Sequence, residues 1–255
     1  MNDYFRQVIL RFDSLASTNT EAARQAQMGA QEGLCIVARE QVSGRGRQQR
    51  VWISPKDAGL YLSVVLKPRI SVEQWPLITL MTALAVYDAL LEVCALETDI
   101  KWPNDIYASG KKLCGILAET IETDTKRVVI VGIGVNLSER AFPDELSEVA
   151  TSVERETGNR VAVESLLQSL LASLQKRYSV LQSDVGARQT LDEWKKRSSY
   201  AEGMRVSVNT GEELFRGTTR GLASDGALRV ETDAGVIRTI HAGEITSLRE
   251  EKSGV

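Results

Sequence analysis

Two short segments concentrate the side chains able to do chemistry. The stretch from Gln41 to Trp52 reads Gln-Val-Ser-Gly-Arg-Gly-Arg-Gln-Gln-Arg-Val-Trp, setting Arg45, Arg47 and Arg50 around Gly44 and Gly46. Glycine lets a backbone approach a ligand closely, and guanidinium forks match the oxygens of carboxylates and phosphates. A loop of like charges repels itself, so it is expected to stay mobile until an anion arrives. The second segment is Lys101-Trp102-Pro103-Asn104-Asp105, followed by Lys111-Lys112-Leu113-Cys114-Gly115-Ile116-Leu117. Here Pro103 fixes a turn. Asn104 can donate and accept hydrogen bonds. Asp105 can hold Mg²⁺ or take a proton from an attacking amine, and Lys112 can offset charge where an anhydride forms. Taken separately, these are an exposed basic loop and an ordinary turn. Taken together, they describe a site that joins a carboxylate to a phosphate.

Weaker signals lie elsewhere. Ser17, Thr18 and Asn19 either cap a helix or hydrogen-bond a small polar ring. Gly132-Ile133-Gly134-Val135-Asn136 reads as a strand passing close to a ligand. No GxxxxGK[ST] loop is present, so a nucleotide must be held another way. The single histidine, His241, is remote in sequence from both segments, which argues against Ser-His or Cys-His catalysis.

The elements that must position these residues follow from periodicity. A helix is expected from Thr18, with Thr18 and Glu21 at capping-box spacing, to Gly29. Strands are expected at 34–38 and 60–66, then a buried helix over 75–96. A strand at 99–102 enters the Pro103 turn, and 113–121 pairs with 128–136. The polar stretch 142–160 reads as a surface loop with short helical turns. Leucines at 166, 167, 170, 171 and 174 predict an amphipathic helix over 163–181, and 191–197 extends that helical layer. After Ser198-Ser199-Tyr200 come short strands at 204–208, 213–222, 227–231 and 236–240 with turns between them, the pattern of a small barrel.

Composition sets the bounds. The chain has 255 residues, 43% hydrophobic and 25% charged, enough for one sizeable domain and a smaller one. A net charge of −3 gives no global attraction to nucleic acid or an anionic membrane. Cys35, Cys94 and Cys114 form no CxxC pair and read as reduced, buried thiols of a cytoplasmic protein. Neither a signal peptide nor a membrane span is expected.

At the residues quoted, the chain resembles the biotin–protein ligases, or biotin–[acetyl-CoA-carboxylase] ligases. Gln-x-x-Gly-Arg-Gly-Arg-x-x-Arg-x-Trp stands at 41–52, Lys-Trp-Pro-Asn-Asp at 101–105, and Lys-Leu-x-Gly-Ile-Leu at 112–117. Gly-x-Gly-Val-Asn stands at 132–136, with Ser-Thr-Asn at 17–19. The resemblance implies an α+β chain: a class II aminoacyl-tRNA synthetase-like catalytic domain with a mixed sheet and helices over 1–199, then a small Src-homology-3-type β-barrel over 200–255. It implies that ATP and biotin are substrates, with Mg²⁺, and that a biotinyl-adenylate forms and passes to a lysine of biotin carboxyl carrier protein. By the same resemblance, Ser17, Thr18, Asn19, Gln41, Gly44 and Gly115 contact biotin. Arg45 and Lys112 hold its carboxylate and then the acyl phosphate. Arg47 and Arg50 meet the ATP phosphates, Trp52 covers the adenine, and Asn104, Gly134 and Asn136 surround the adenylate. Asp105, the one carboxylate of its motif, is expected to serve the incoming lysine.

The resemblance also implies a possible homodimer. Only 16 residues precede Ser17, so a short form without the DNA-binding domain and repressor function of some members is expected. The tail Gly243-Glu244-Ile245-Thr246-Ser247-Leu248-Arg249 is one residue longer than the family's usual Gly-Glu-Ile-Ser-Leu-Arg, leaving any nucleotide role of Glu244 or Arg249 open. The competing readings are a lipoate or octanoate ligase of the same superfamily and a non-catalytic biotin-binding module.

Overall fold

In the computed structural model, residues 8–124 and 126–247 are described. Arg249 therefore lies outside the described residues. In chain order the main elements are β1 (Val8–Phe12), α1 (Thr18–Gln27), β2 (Leu34–Ala38), β3 (Gly59–Leu66) and α2 (Pro76–Cys94). There follow β4 (Asp99–Lys101), β5 (Asp105–Ala108), β6 (Lys111–Glu122), β7 (Arg127–Asn136), α3 (Val153–Thr157), α4 (Val163–Leu181) and α5 (Gly186–Lys196). The last five strands are β8 (Glu202–Asn209), β9 (Leu214–Leu222), β10 (Leu228–Thr232), β11 (Ile237–Ile240) and β12 (Glu244–Ser247).

Strands β1 to β7 build a seven-stranded sheet in the order β1-β2-β3-β7-β6-β5-β4. Its β1–β2 pair is parallel and the others are antiparallel, so the sheet is mixed. Side chains alternate between faces along a strand, and that alternation separates core from site. On one face Leu60, Leu62 and Val64 of β3 and Val131, Ile133 and Val135 of β7 join the apolar layer of α2 and α4. On the other, Val65, Val128 and Ile130 pack under Ala22 and Ala26 of α1. Farther along that second face the large side chains stop, and Gly132, Gly134 and Asn136 follow in register. Gly132 pairs with Ser63 and Leu117, and Gly134 with Tyr61 and Gly115. Two bare positions in the central strand leave a hollow in the sheet floor.

Helix α2 is apolar on nearly all sides because the sheet lies on one side and α4 and α5 on the other. Its length and hydropathy would suffice to cross a membrane, yet it is a core helix here, with Leu77, Ile78, Met81 and Leu90 fully buried. Pro76 opens it at the first turn, where the missing N–H costs nothing.

Strands β8 to β12 form a five-stranded antiparallel sheet in the order β11-β10-β9-β8-β12, in the region where short strands were expected. Val206, Val208, Leu228, Val230 and Ile245 bury their side chains in a core continuous with that of the larger sheet. Trp102 ties the two sheets together. It is 3% exposed, and its indole Nε1 donates to the Gly226 carbonyl at 3.0 Å. The tryptophan of the Lys-Trp-Pro-Asn-Asp motif is thus a joint between sheets.

The differences from the sequence reading are local. Strands β1, β5 and β12 were not foreseen. β1 is short and half exposed, β5 is hidden inside the proline turn motif, and β12 carries little apolar patterning. The capping box is absent: Thr18 is the first helical residue, Ser17 is the N-cap without a side-chain cap, and Glu21 bonds Arg24 and Gln25 instead. The stretch 142–160 does consist of short turns and α3, but it is not simply a surface loop, since Phe142, Thr151, Ser152 and Val153 are buried.

Candidate active site

The hollow over Gly132 and Gly134 opens into a cavity of about 270 Å³. Its inner end is the N-terminus of α1. Ser17, Thr18 and Asn19 are 4%, 3% and 4% exposed, so they belong to the floor and not to a solvated cap. Gln41 performs the capping that the sequence assigned to Thr18: its Oε1 accepts the Thr18 backbone N–H at 2.8 Å. The same Gln41 donates through Nε2 to Ser54 Oγ at 2.8 Å, which fixes its amide. Asn19 lies across Gly132 so closely that a Cβ there would sit 2.1 Å from Asn19 Oδ1. Its Nδ2 donates to Glu119 Oε2 at 2.7 Å.

The arginine loop forms one wall, and each guanidinium has a different partner. Arg45 Nη2 donates to Glu119 Oε2 at 2.9 Å. Arg47 Nη1 donates to Asn104 Oδ1 at 3.1 Å. Arg50 grips both carboxylate oxygens of Glu244, at 3.0 and 2.5 Å. Arg47 sits deepest of the three. Burial pushes its pKa below the ordinary guanidinium value, against the pull of Asp105 and Glu244. A desolvated cation without a carboxylate in direct contact gains most from an arriving anion.

Trp52 lies over the glycine floor. A Cβ on Gly134 would stand 2.3 Å from its Nε1, and one on Gly115 would stand 3.1 Å from its ring. That Nε1 is buried without a hydrogen-bond partner, and Lys112 Nζ lies 5.5 Å from the ring centroid. Lys112 also contacts Asp105 Oδ1 at 2.7 Å. Lys101 is the fifth base at the wall, and burial lowers its pKa. Five basic side chains (Arg45, Arg47, Arg50, Lys101 and Lys112) therefore face two lining carboxylates, Asp105 and Glu244.

Of the residues named from sequence, all line this cavity except Gly44. Gly44 lies behind the wall, where a Cβ would meet the Trp52 carbonyl at 2.2 Å; it shapes the loop. Asn104 and Asn136 are braces as well as lining. Asn104 Nδ2 donates to the Ile116 carbonyl at 2.8 Å, and Asn136 Nδ2 to that of Thr151 at 3.0 Å.

Sequence reasoning missed Lys101 as a wall residue and the apolar flank of Phe142, Leu146 and Val149; it also missed Ser63 and Glu119, which stand behind the lining and contact Asn19. The alternation in β3 and β6 put Ser63 and Glu119 on the site face, but only the pairing with β7 identified which face that was. Glu244, left open from sequence, stands at the mouth, and the Arg50 guanidinium holds its carboxyl below the usual range. His241 pairs with Asp225 at 3.2 Å and lies outside this cavity. Cys35 is buried, and burial pushes its thiol up to about 12; Cys114 is shifted upward for the same reason. Among the described residues no cluster of His, Cys, Asp and Glu could hold a metal ion.

Known proteins share both sequence and shape with this chain. Residues 11–136 match the biotin/lipoate A/B protein ligase family, and 203–246 match the biotin protein ligase C-terminal domain. The chain is 37% identical over 244 residues to the bifunctional ligase/repressor BirA of Bacillus subtilis, covering 94% of this chain and 74% of that one. It is 35% identical to the biotin–[acetyl-CoA-carboxylase] ligase of Paracoccus denitrificans, covering 86% of this chain and 92% of the relative. The biotin protein ligase from Aquifex aeolicus, solved in complex with biotin and ATP, superposes with a TM-score of 0.83 at 28% identity, covering 96% of this chain and all of that one.

Proposed function

Because the chain belongs to the biotin protein ligase family, we propose that it joins biotin to ATP as biotinyl-adenylate and transfers the biotinyl group to one lysine of a biotin carboxyl carrier protein. The observation that carries this reading is the convergence of five bases, the α1 N-terminus and a bare glycine floor on one cavity.

The chemistry follows from charge. A carboxylate must approach the α-phosphorus of ATP, and two anions repel unless cations already stand between them. The biotin ring enters at Ser17, Thr18 and Gln41, beside the Gly115 end of the floor, and its carboxylate reaches Lys112. Arg45 and Arg47 hold the carboxylate and the α-phosphate, with the deeper Arg47 taking the larger share, and Arg50 meets the departing pyrophosphate after releasing Glu244. The apolar flank of Phe142, Leu146 and Val149 and the Trp52 indole enclose the adenine, with Asn104, Gly134 and Asn136 around the adenylate. Mg²⁺ arrives with the ATP phosphates as part of the substrate, since the wall offers single carboxylates and no cage. In the second step Asp105, freed from Lys112, receives a proton from the incoming lysine amine as that amine attacks the mixed anhydride and AMP leaves.

Residues 1–199 form the catalytic unit in this reading, and 200–255 the small barrel that supplies Glu244. Strand β6 pairs with β5 only as far as Gly115, while β7 covers it to Glu122. The open edge beyond Leu117 suits a strand added by the carrier domain or by a second copy in a homodimer. The protein acts in the cytoplasm, without a membrane or a nucleic-acid partner. Biotin-dependent exchange of labelled pyrophosphate into ATP, run beside lipoate, tests the reading. Exchange with biotin alone is expected, and exchange with lipoate alone would overturn it.

A further inference from the structure

One buried hydroxyl behind the inner end of the cavity has no role in the reaction just described. Ser63 of β3 is fully buried, and its Oγ lies 2.7 Å from Thr18 Oγ1 and 2.6 Å from Asn19 Oδ1. A serine hydroxyl has one proton, so it cannot donate to both neighbours. The Asn19 amide is oriented by two acceptors: its Nδ2 faces Glu119 Oε2 at 2.7 Å and the Leu117 carbonyl at 3.3 Å. Its Oδ1 therefore points at Ser63 and can only accept. The Ser63 proton goes to Asn19, and the 2.7 Å contact with Thr18 is satisfied only if Thr18 donates to Ser63. Any other assignment leaves a pair of oxygens closer than 2.8 Å with no proton between them, which a buried site does not tolerate.

With its proton committed to Ser63, Thr18 Oγ1 turns lone pairs toward the cavity. It stands 3.1 Å from Gln41 Oε1, itself an acceptor. Two acceptors then border one gap with no proton of their own to share. We propose that Ser63 is a positioning residue that holds Thr18 as an acceptor and thereby makes the inner end of the cavity selective for a ligand ring presenting an N–H donor. The proposal rests on the biotin reading above, since the cyclic urea of biotin carries such donors, and it names a residue that sets ring specificity without touching the ring.

The test uses the full-length protein and equilibrium binding of two probes: biotin, and cyclic carbamate analogues of biotin in which one or the other ring N–H is replaced by oxygen. Wild type is expected to prefer biotin by roughly a hundredfold over the analogue whose oxygen faces Thr18. In Ser63→Ala the Thr18 hydroxyl is free to turn and donate, and the preference is expected to fall to roughly tenfold. The KM for biotin in pyrophosphate exchange rises while kcat and the KM for ATP stay within about twofold. A double-mutant cycle with Thr18→Val keeps the proposal falsifiable if Ser63→Ala perturbs packing. If Ser63 acts through Thr18, adding Ser63→Ala to Thr18→Val changes the preference no further. An unchanged preference in Ser63→Ala, or additive losses in the cycle, overturns the role of Ser63 alone. A wild-type protein that binds neither probe sinks the biotin reading itself and this role with it.

Discussion

The indole of Trp52 rests on the bare backbone of Gly134, so closely that any Cβ at 134 would lie 2.3 Å from its Nε1. The pair links a loop motif to a β-strand motif 82 positions away, and neither is interpretable alone. Gly134→Ala should lift the indole off the floor while leaving the strand intact. The expected result is a change in tryptophan fluorescence and at least about a tenfold loss in kcat/KM for adenylation, as a misplaced wall costs orientation. Unaltered exchange kinetics would show that the contact is incidental.

Arg47 and Arg45 separate by depth. Arg47→Ala should release biotinyl-adenylate faster than Arg45→Ala, with both faster than wild type, because Arg47 is the desolvated cation and Arg45 already has Glu119. Arg47→Lys should fail to restore retention, since an ammonium lacks the planar fork. Rapid-filtration measurement of adenylate release ranks the variants.

Asp105 is assigned to the second half-reaction. Asp105→Ala should leave pyrophosphate exchange within about threefold of wild type and slow transfer to the carrier by roughly a hundredfold or more, the usual scale of general-base loss. Single-turnover transfer from preformed adenylate reads the second number directly. Abolished exchange with intact transfer would reverse the assignment.

The Arg50–Glu244 pair is half exposed, with side chains 62% and 44% accessible, so solvent screens it and its worth to stability is at most about 1 kcal/mol. Glu244→Gln should barely move the Tm yet alter the KM for ATP, because it frees Arg50 for phosphate. The sign of the pH dependence follows from the Glu244 carboxyl, whose pKa is lowered by Arg50. The pair's contribution is present above the ordinary glutamate pKa and is lost as pH falls through the lowered one. Any difference in stability between wild type and Glu244→Gln should therefore shrink toward strongly acidic pH, as thermal melts at stepped pH would show.

Trp102→Phe removes the indole donor to the Gly226 carbonyl and leaves that carbonyl unsatisfied in a buried joint. A loss of about 1–3 kcal/mol is expected. Denaturant unfolding measures it, and a change in m-value would indicate that the small sheet has come loose.

Much of this protein was settled by its sequence alone. The motifs at 41–52, 101–105, 112–117 and 132–136 named the residues that face one cavity, because chemistry of this kind restricts both residue type and local spacing. The long helices and most strands were also legible, since a buried face imposes a period of 3.6 or 2 along the chain. What the sequence could not decide was partnership across distance. Thr18 has capping-box spacing with Glu21, yet its cap is Gln41, twenty-three residues away. Ser63 and Glu119 are unremarkable within their strands. They acquire meaning only when β3 and β6 flank β7 and bring them to Asn19. Glu244 waited for a second sheet to dock beside Arg50. Local pattern is written in neighbouring residues, whereas strand order and sheet docking depend on the summed burial of many weak contacts, and only the folded chain expresses that sum.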